Sequence, residues 1–442
     1  MKRVLLINPP GTEQGGYSNP PLGLLYLAGT LRKNGFEVRV VDGCVEGPEA
    51  LAAVLADFRP ELAGVTCLTP ERKKALAATR QVKDFDAGII TVLGGVHPTI
   101  MHDQLMRNYP FVDFGVIGEG ESALLEIAEG KPPEGIAGIV YRSGGEIRKT
   151  AVRVHEKDLD KLPFPAWSLV DLKKYPARGS GIVNGVDLAR EPRVSVIFSR
   201  GCSGHCDFCS TWWIWRGWRR RSAGNMADEM QLLYRDYGIR HFCFADDSMT
   251  VDREGVIALC DEIVSRNMRI AFHATTRTDC VDAEMLAKMK AAGCYNIAFG
   301  IETSSPELLA KMGKENTVAA SEKAIALCKQ AGIRATALII AGAVGETWKT
   351  IGETAAFLRR TRPDEVGCVG GLWILPGTKL YRDCVGRGII TDEFWLGDEP
   401  YLVYTTEHTL EELMRMQKRV TSYDTLFSRA VSRLKRIFRW TA

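Results

Sequence analysis

The chain has 442 residues, enough for two or three domains. Hydrophobic residues make up 45% and charged residues 25%, which excludes a largely disordered or fibrous protein. Basic and acidic residues balance at 57 against 54, so no global basic field points to nucleic acid.

No apolar run reaches the length of a membrane-spanning helix. The opening Met-Lys-Arg-Val-Leu-Leu-Ile-Asn-Pro-Pro reads as a first strand rather than a secretory signal, so a cytoplasmic protein is expected. Twelve cysteines are too sparse for a disulfide scaffold. Nine of them stand singly, mostly in apolar runs, and read as small core hydrophobes.

In chain order, Val/Ile-rich runs at 3–8, 38–42, 62–69, 89–95 and 111–117 alternate with helical stretches at 23–34, 48–58, 70–85, 102–108 and 121–129. The runs are continuous rather than alternating, as in strands buried on both faces of a parallel sheet. They predict an α/β, doubly wound domain over 1–135, which would take ligands at the carboxyl ends of its strands. Strand-like pieces at 138–142 and 146–150, then a Pro- and Gly-rich stretch, read as a connector over 136–190.

The β/α rhythm returns over 191–392. Strands are expected at 193–199, 241–245, 269–275, 296–301, 335–340 and 366–374, with helices at 225–237, 254–266, 283–292, 306–312, 318–331 and 350–360. Six such units suit a partial or complete barrel, whose reactive residues lie at strand carboxyl ends. Residues 393–442 form a C-terminal helical region. Its stripe of Phe427, Ala430, Val431, Leu434, Ile437 and Phe438, bordered by Arg429, Arg433, Lys435, Arg436 and Arg439, either lies on an anionic membrane surface or packs on its own domain.

After the first barrel strand comes Arg200-Gly-Cys202-Ser-Gly-His-Cys206-Asp-Phe-Cys209. Three thiolates on one short loop suit zinc or an iron–sulfur cluster. Structural zinc wants a fourth ligand, and no second Cys-x-x-Cys exists. A zinc loop with a distant fourth ligand stays open; a [4Fe–4S] cluster with one free iron fits better.

This spacing, with the aromatic Phe208 before the last cysteine, resembles the radical S-adenosylmethionine (SAM) superfamily. The resemblance implies that Cys202, Cys206 and Cys209 bind three irons while the fourth takes SAM. Reduction would then cleave SAM to a 5′-deoxyadenosyl radical. An electron donor of flavodoxin or ferredoxin type is implied with it. Other strand-end positions match: Asp246, Asp247, Arg277, Glu302, Ser304 and Glu346 are candidate cofactor contacts, and Gly342 would admit the adenine. Val344 stands where the fifth-strand motif usually has Pro.

In the first domain, Pro21 and Gly23 open a helix, Gly94-Gly95-Val96-His97 ends the fourth strand and Gly118-Glu119-Gly120 the fifth. The loop 11–18 is Gly-rich but is neither a P-loop nor GxGxxG. The combination is similar to the Rossmann- or flavodoxin-like cobalamin-binding domain fused ahead of the radical barrel in one large subclass. There His97 would line the cobalamin tail without ligating cobalt, and Thr66, Leu68 and Thr69 would face the corrin. The Asp-x-His-x-x-Gly cobalt-ligating motif is absent.

Trp212, Trp213, Trp215 and Trp218 with Arg216 and Arg219–Arg221 follow the cysteines. They either line the substrate mouth or pack between the domains while Arg221 and Ser222 cap the next helix. The resemblance implies a cobalamin-dependent enzyme that methylates an unactivated carbon of a small-molecule, lipid or peptide substrate. Alternatives are a non-methylating cyclase or ring-rearranging enzyme, and a cluster-bearing sensor.

Overall fold

The computed structural model describes residues 1–10, 19–47 and 49–422. The loop 11–18, Pro48 and the tail stripe therefore lie outside the described residues.

The first unit runs β1 (Arg3–Asn8), α1 (Leu22–Lys33), β2 (Glu37–Asp42), α2 (Ala50–Phe58), β3 (Leu62–Thr66), α3 (Arg72–Phe85), β4 (Ile90–Gly94), α4 (Val96–Asn108), β5 (Phe114–Val116), α5 (Glu121–Ala128), β6 (Ile139–Ser143) and β7 (Glu146–Lys149). The sheet order is β2-β1-β3-β4-β5-β6-β7, with β1 to β5 parallel. The 2-1-3-4-5 order is flavodoxin-like, with its switch point between β1 and β3. Val4, Leu5, Leu6 and Ile7 are all buried, as the continuous apolar run requires.

Two expectations change. The pieces at 138–150 are not part of a crossing connector: β6 pairs antiparallel with β5, and β7 with β6, extending the sheet. Gly144 and Gly145 take positive φ (60° and 84°), which makes the tight turn between them. α4 begins at Val96, six residues earlier than expected, because Pro98 sits in its first turn, where no backbone N–H is needed.

The connector is stitched to both units. An added Cβ on Gly29 would lie 2.4 Å from the Phe164 carbonyl, so glycine lets the chain cross α1. Tyr175 donates to Asp42 (2.7 Å), and the buried Trp167 indole donates to Glu229 (3.2 Å). A short hairpin, β8 (Ile182–Val183) and β9 (Val186–Asp187), ends it.

The second unit comprises β10 (Arg193–Val196), β11 (Ser199–Gly201), α6 (Thr211–Trp215), β12 (Trp218–Arg220), α7 (Ala223–Asp236), β13 (His241–Phe244), α8 (Arg253–Ser265), β14 (Ala271–Thr276), α9 (Ala283–Ala292), β15 (Cys294–Glu302), α10 (Pro306–Lys311), α11 (Val318–Ala331), β16 (Arg334–Ala341), α12 (Trp348–Thr361), β17 (Glu365–Gly370), β18 (Trp373–Ile374), α13 (Lys379–Gly386) and β19 (Leu402–Val403). β10-β13-β14-β15-β16-β17 form a parallel six-stranded sheet, a partial (β/α)6 barrel. Two expected strands are each broken in two. Residues 199–201 leave the barrel to pair with β12, and the run 366–374 breaks at Gly371 (φ 93°), where a Cβ would meet Val403 at 2.4 Å.

Beyond the barrel, the Arg72 guanidinium, 1% exposed, holds the segment after α13 on the first unit. It donates to the carbonyls of Trp395 (2.7 Å), Gly397 (2.8 Å) and Glu399 (2.6 Å). Residues 410–422 are helical and bury Leu413, Met416 and Val420 in the core shared by both units. No helix among the described residues is long and apolar enough to cross a membrane.

Candidate active site

A cavity of about 250 Å³ opens at the carboxyl edge of the first sheet. Its wall includes Gly23, Thr66, Gly94, Gly95, Glu119 and Gly120 from the sequence analysis, together with Tyr26, Gly64, Gly118, Glu121, Ile197, Arg200 and Trp215. At Gly23 and Gly94 an added Cβ would enter open space. This cradle, with its glycines, its apolar side chains and one group of paired charges, fits the flat base of a cobalamin tail.

The neighbouring residues divide. Leu68 is 44% exposed, free to meet a corrin, and Pro21 is half-buried at the start of α1. Thr69 is buried and paired through its hydroxyl with His97 Nδ1 (3.2 Å). His97 does not line the cavity, contrary to expectation. It is fully buried, edge-on to Trp395, with Nε2 unpartnered. Burial, aided by the nearby Arg72, pulls its pKa down to about 3, so the ring is neutral. The sequence does not reveal Trp395 as its neighbour, 298 residues away in the chain.

Arg200 joins this cavity to the cysteine loop. It is 6% exposed and donates to Glu119 (2.7 Å) and Glu121 (2.6 Å), while its guanidinium lies over the rings of Tyr26 and Trp215. Arg219 from β12 adds a second cation on Glu119 (3.0 Å). Two residues on, Cys202 begins the loop. Gly201 (φ 93°) must be glycine there, since a Cβ would lie 1.9 Å from the Gly217 carbonyl.

Burial raises the Cys202 thiol, and raises Cys206 to about 11; the neighbouring Cys209 adds to both. Two cations oppose this: Arg277 favours the Cys202 thiolate and Lys314 the Cys206 thiolate. Arg277 rests on the loop, its Nη1 2.4 Å from where a Gly204 Cβ would sit, and is held by Asp279 (2.9 and 2.7 Å) and the Glu315 carbonyl (2.7 Å). Lys314 is paired with Glu302 (3.0 Å). Glu302 has φ 65° just past a register shift at Gly300, and Gly300 leaves room for the pair. His205 stands against Trp212, ring centroids 3.9 Å apart. No three His, Cys, Asp or Glu side chains among the described residues close to metal-ligand spacing, the open cysteine loop included. Thiol donors beside two cations fit a thiolate-held cluster better than a carboxylate-bound ion.

Phe208 lines a second, apolar cavity of about 170 Å³ with Ile340, Leu372, Trp373 and Leu375. Its walls suit a flat heterocycle.

Other strand-end candidates are occupied within the protein. Asp246 is 4% exposed and accepts from Phe198 N (3.2 Å) and from the backbone and hydroxyl of Ser199 (2.5 Å each). It braces the root of β11, and burial pushes it up to about 7 against those donors. Asp247 is exposed and accepts from Thr211 (3.1 Å). Ser304 donates to Thr354 through its N–H (3.1 Å) and hydroxyl (3.4 Å). Glu346 accepts from Gly342 N (3.3 Å) and the Thr350 hydroxyl. Gly342 (φ 98°) makes room for Leu413, 2.1 Å from an added Cβ. A strand-end polar residue can bind a ligand or brace its own loop, and sequence alone does not separate the two.

The tryptophan insert serves both readings. Trp215 lines the cavity, and its carbonyl accepts from His155 (2.9 Å); Trp218 donates to the Ser248 carbonyl (3.2 Å). Arg221 is buried against Glu229, and Ser222 caps α7 by accepting from Asn225 N (3.1 Å). Trp212, against His205, stands at the cysteine loop.

The B12 binding domain profile matches residues 12–128, and the radical SAM superfamily profile matches 196–358. An uncharacterized methyltransferase of Pyrococcus horikoshii is 29% identical, over 89% of this chain and 85% of its own length. The anaerobic magnesium-protoporphyrin IX monomethyl ester cyclase of Rubrivivax gelatinosus is 30% identical, over 82% of this chain and 66% of its own length. The radical SAM methyltransferase TsrM from Kitasatospora setae, solved with cobalamin and a [4Fe-4S] cluster, is 23% identical. It superposes with a TM-score of 0.71 over 88% of this chain and 75% of its own, and so shares the fold. With both cofactor-domain profiles matched in this order, the chain belongs to the radical SAM superfamily, in the group that carries a B12-binding domain ahead of the radical SAM domain.

Proposed function

We propose that the protein is a cobalamin-dependent radical SAM enzyme that methylates an unactivated carbon of a small molecule. The observation that carries the reading is the junction at Arg200: a glycine-walled cavity and a three-cysteine loop lie on either side of one side chain. When bound, the cluster with SAM supplies a carbon-centred radical and cobalamin supplies the methyl group.

The chain's own residues hold and orient. Cys202, Cys206 and Cys209 would ligate the cluster, losing their protons as it binds, with Arg277 and Lys314 offsetting the accumulated negative charge. The slot beside Phe208 would take the adenine. Gly23, Gly94, Gly95 and Gly120 would wall the cobalamin tail, and Leu68 would face the corrin. Electrons would come from a flavodoxin- or ferredoxin-type carrier.

A cyclisation reading is favoured by one observation, the likeness to the Rubrivivax cyclase. Product analysis separates the two. The protein is reconstituted anaerobically with iron, sulfide and cobalamin, then given SAM and dithionite, and the nucleosides are resolved by chromatography. S-adenosylhomocysteine that disappears when cobalamin is omitted is the expected result. 5′-Deoxyadenosine alone would favour cyclisation, and neither product from a cluster-loaded protein would overturn both.

A further inference from the structure

We infer that Arg200 is a positioning residue that couples the two cofactor sites, so that filling the cavity of the first unit fixes the loop bearing Cys202, and the reverse. The inference rests on the cofactor assignment above and goes beyond it by naming the link.

Arg200 belongs to β11, two residues before Cys202, yet both its ion-pair partners come from the other unit. Glu119 follows β5, and Glu121 opens α5. All three side chains line the cavity. Tyr26 from α1 and Trp215 from α6, also on the wall, bracket the guanidinium at 5.2 and 5.6 Å. Arg219 completes a quartet of two cations and two carboxylates, so the buried group is neutral as a whole.

Such a network is stable only when its members are all in place, because a buried charge left without its partner is costly. A tail seated against the wall would hold Glu119 and Glu121 in place, hence Arg200, and through the closely packed Gly201 the first cysteine of the loop. Binding energies coupled in this way are reciprocal: each cofactor must tighten the other by the same factor.

The test uses full-length protein with and without its reconstituted cluster, and hydroxocobalamin as the probe, titrated by tryptophan quenching. Wild type should bind cobalamin about 5-fold or more tightly once the cluster is present. Arg200→Gln should bind it equally in both states. In parallel, diamagnetic methylcobalamin, which adds no spin of its own, should change the electron paramagnetic resonance line shape of the reduced wild-type cluster and leave that of Arg200→Gln unchanged. Glu121→Gln, which keeps Arg200 but removes one charge, should fall between. Arg200→Lys should restore part of the coupling, as a merely space-filling role would not.

Equal affinities in wild type, or coupling retained in both Arg200→Gln and Glu121→Gln, would overturn the inference. Should Arg200→Gln fail to fold, Glu121→Gln and the wild-type comparison still decide. Wild type that takes up no cobalamin in either state would overturn the cofactor assignment and, with it, this coupling; equal, measurable uptake in both states would overturn the coupling alone.

Discussion

The edge of the first sheet and the mouth of the barrel are built from different materials. Around the first cavity Gly23 and Gly94 leave open space by lacking side chains, and the charged groups Glu119, Glu121 and Arg200 are paired with one another. Around the cysteine loop the structure is carried by side chains, with Asp246, Arg277, Glu302 and Lys314 buried and each paired. An open glycine position can only admit or exclude a ligand, whereas a buried charge can bind, brace or tune. Substitutions should therefore separate cleanly by region.

The largest effect should come from the cysteine loop. Cys202→Ala should lose the iron content and visible absorbance of the cluster and all SAM cleavage, yet still take up cobalamin. Loss of both cofactors together would break the comparison.

Acid should act next. His97 and His273 are pulled down to about 3 and His241 to about 4, first by burial and then by neighbouring arginines. Their folded-state values lie below the ordinary 6.5. The unfolded chain therefore takes up protons first, and the stability these rings contribute is full above 6.5 and lost as pH falls towards 3–4. Between pH 7 and 5 the loss should be up to about 2 kcal/mol per histidine, read by denaturant unfolding at the two pH values. A flat profile would contradict their burial as neutral rings.

Asp246→Asn should cost about 1–3 kcal/mol of stability, since an amide cannot accept all three hydrogen bonds. The affinity for SAM, measured by calorimetry, should change little if the carboxylate braces β11 rather than touching ligand. Smaller again is Gly94→Val. Its side chain has open space and should leave the melting temperature nearly unchanged while weakening cobalamin about tenfold, or about 1.4 kcal/mol. Unchanged cobalamin affinity would place the tail elsewhere.

The same contrast explains what the sequence disclosed. Strand positions such as 3–8 are legible because apolar runs buried on both faces have a distinctive pattern, and the cysteine loop stands out because three cysteines fall in eight residues. The glycine motifs fall on the wall of a cavity. The surroundings of His97 are set by Trp395, and those of Gly342 by Leu413. Such long-range partners leave no local trace. Arg200 was visible in the motif, but its partners Glu119 and Glu121 lie some eighty residues away, so only the fold gives it a role.

The most direct test of the account is the magnetic interaction between the two centres in the doubly loaded protein. With cobalamin as Co(II) and the cluster reduced, electron paramagnetic resonance should show mutual dipolar broadening, as adjoining sites on either side of Arg200 require. Two unperturbed spectra, each identical to that of the singly loaded protein, would contradict the central claim.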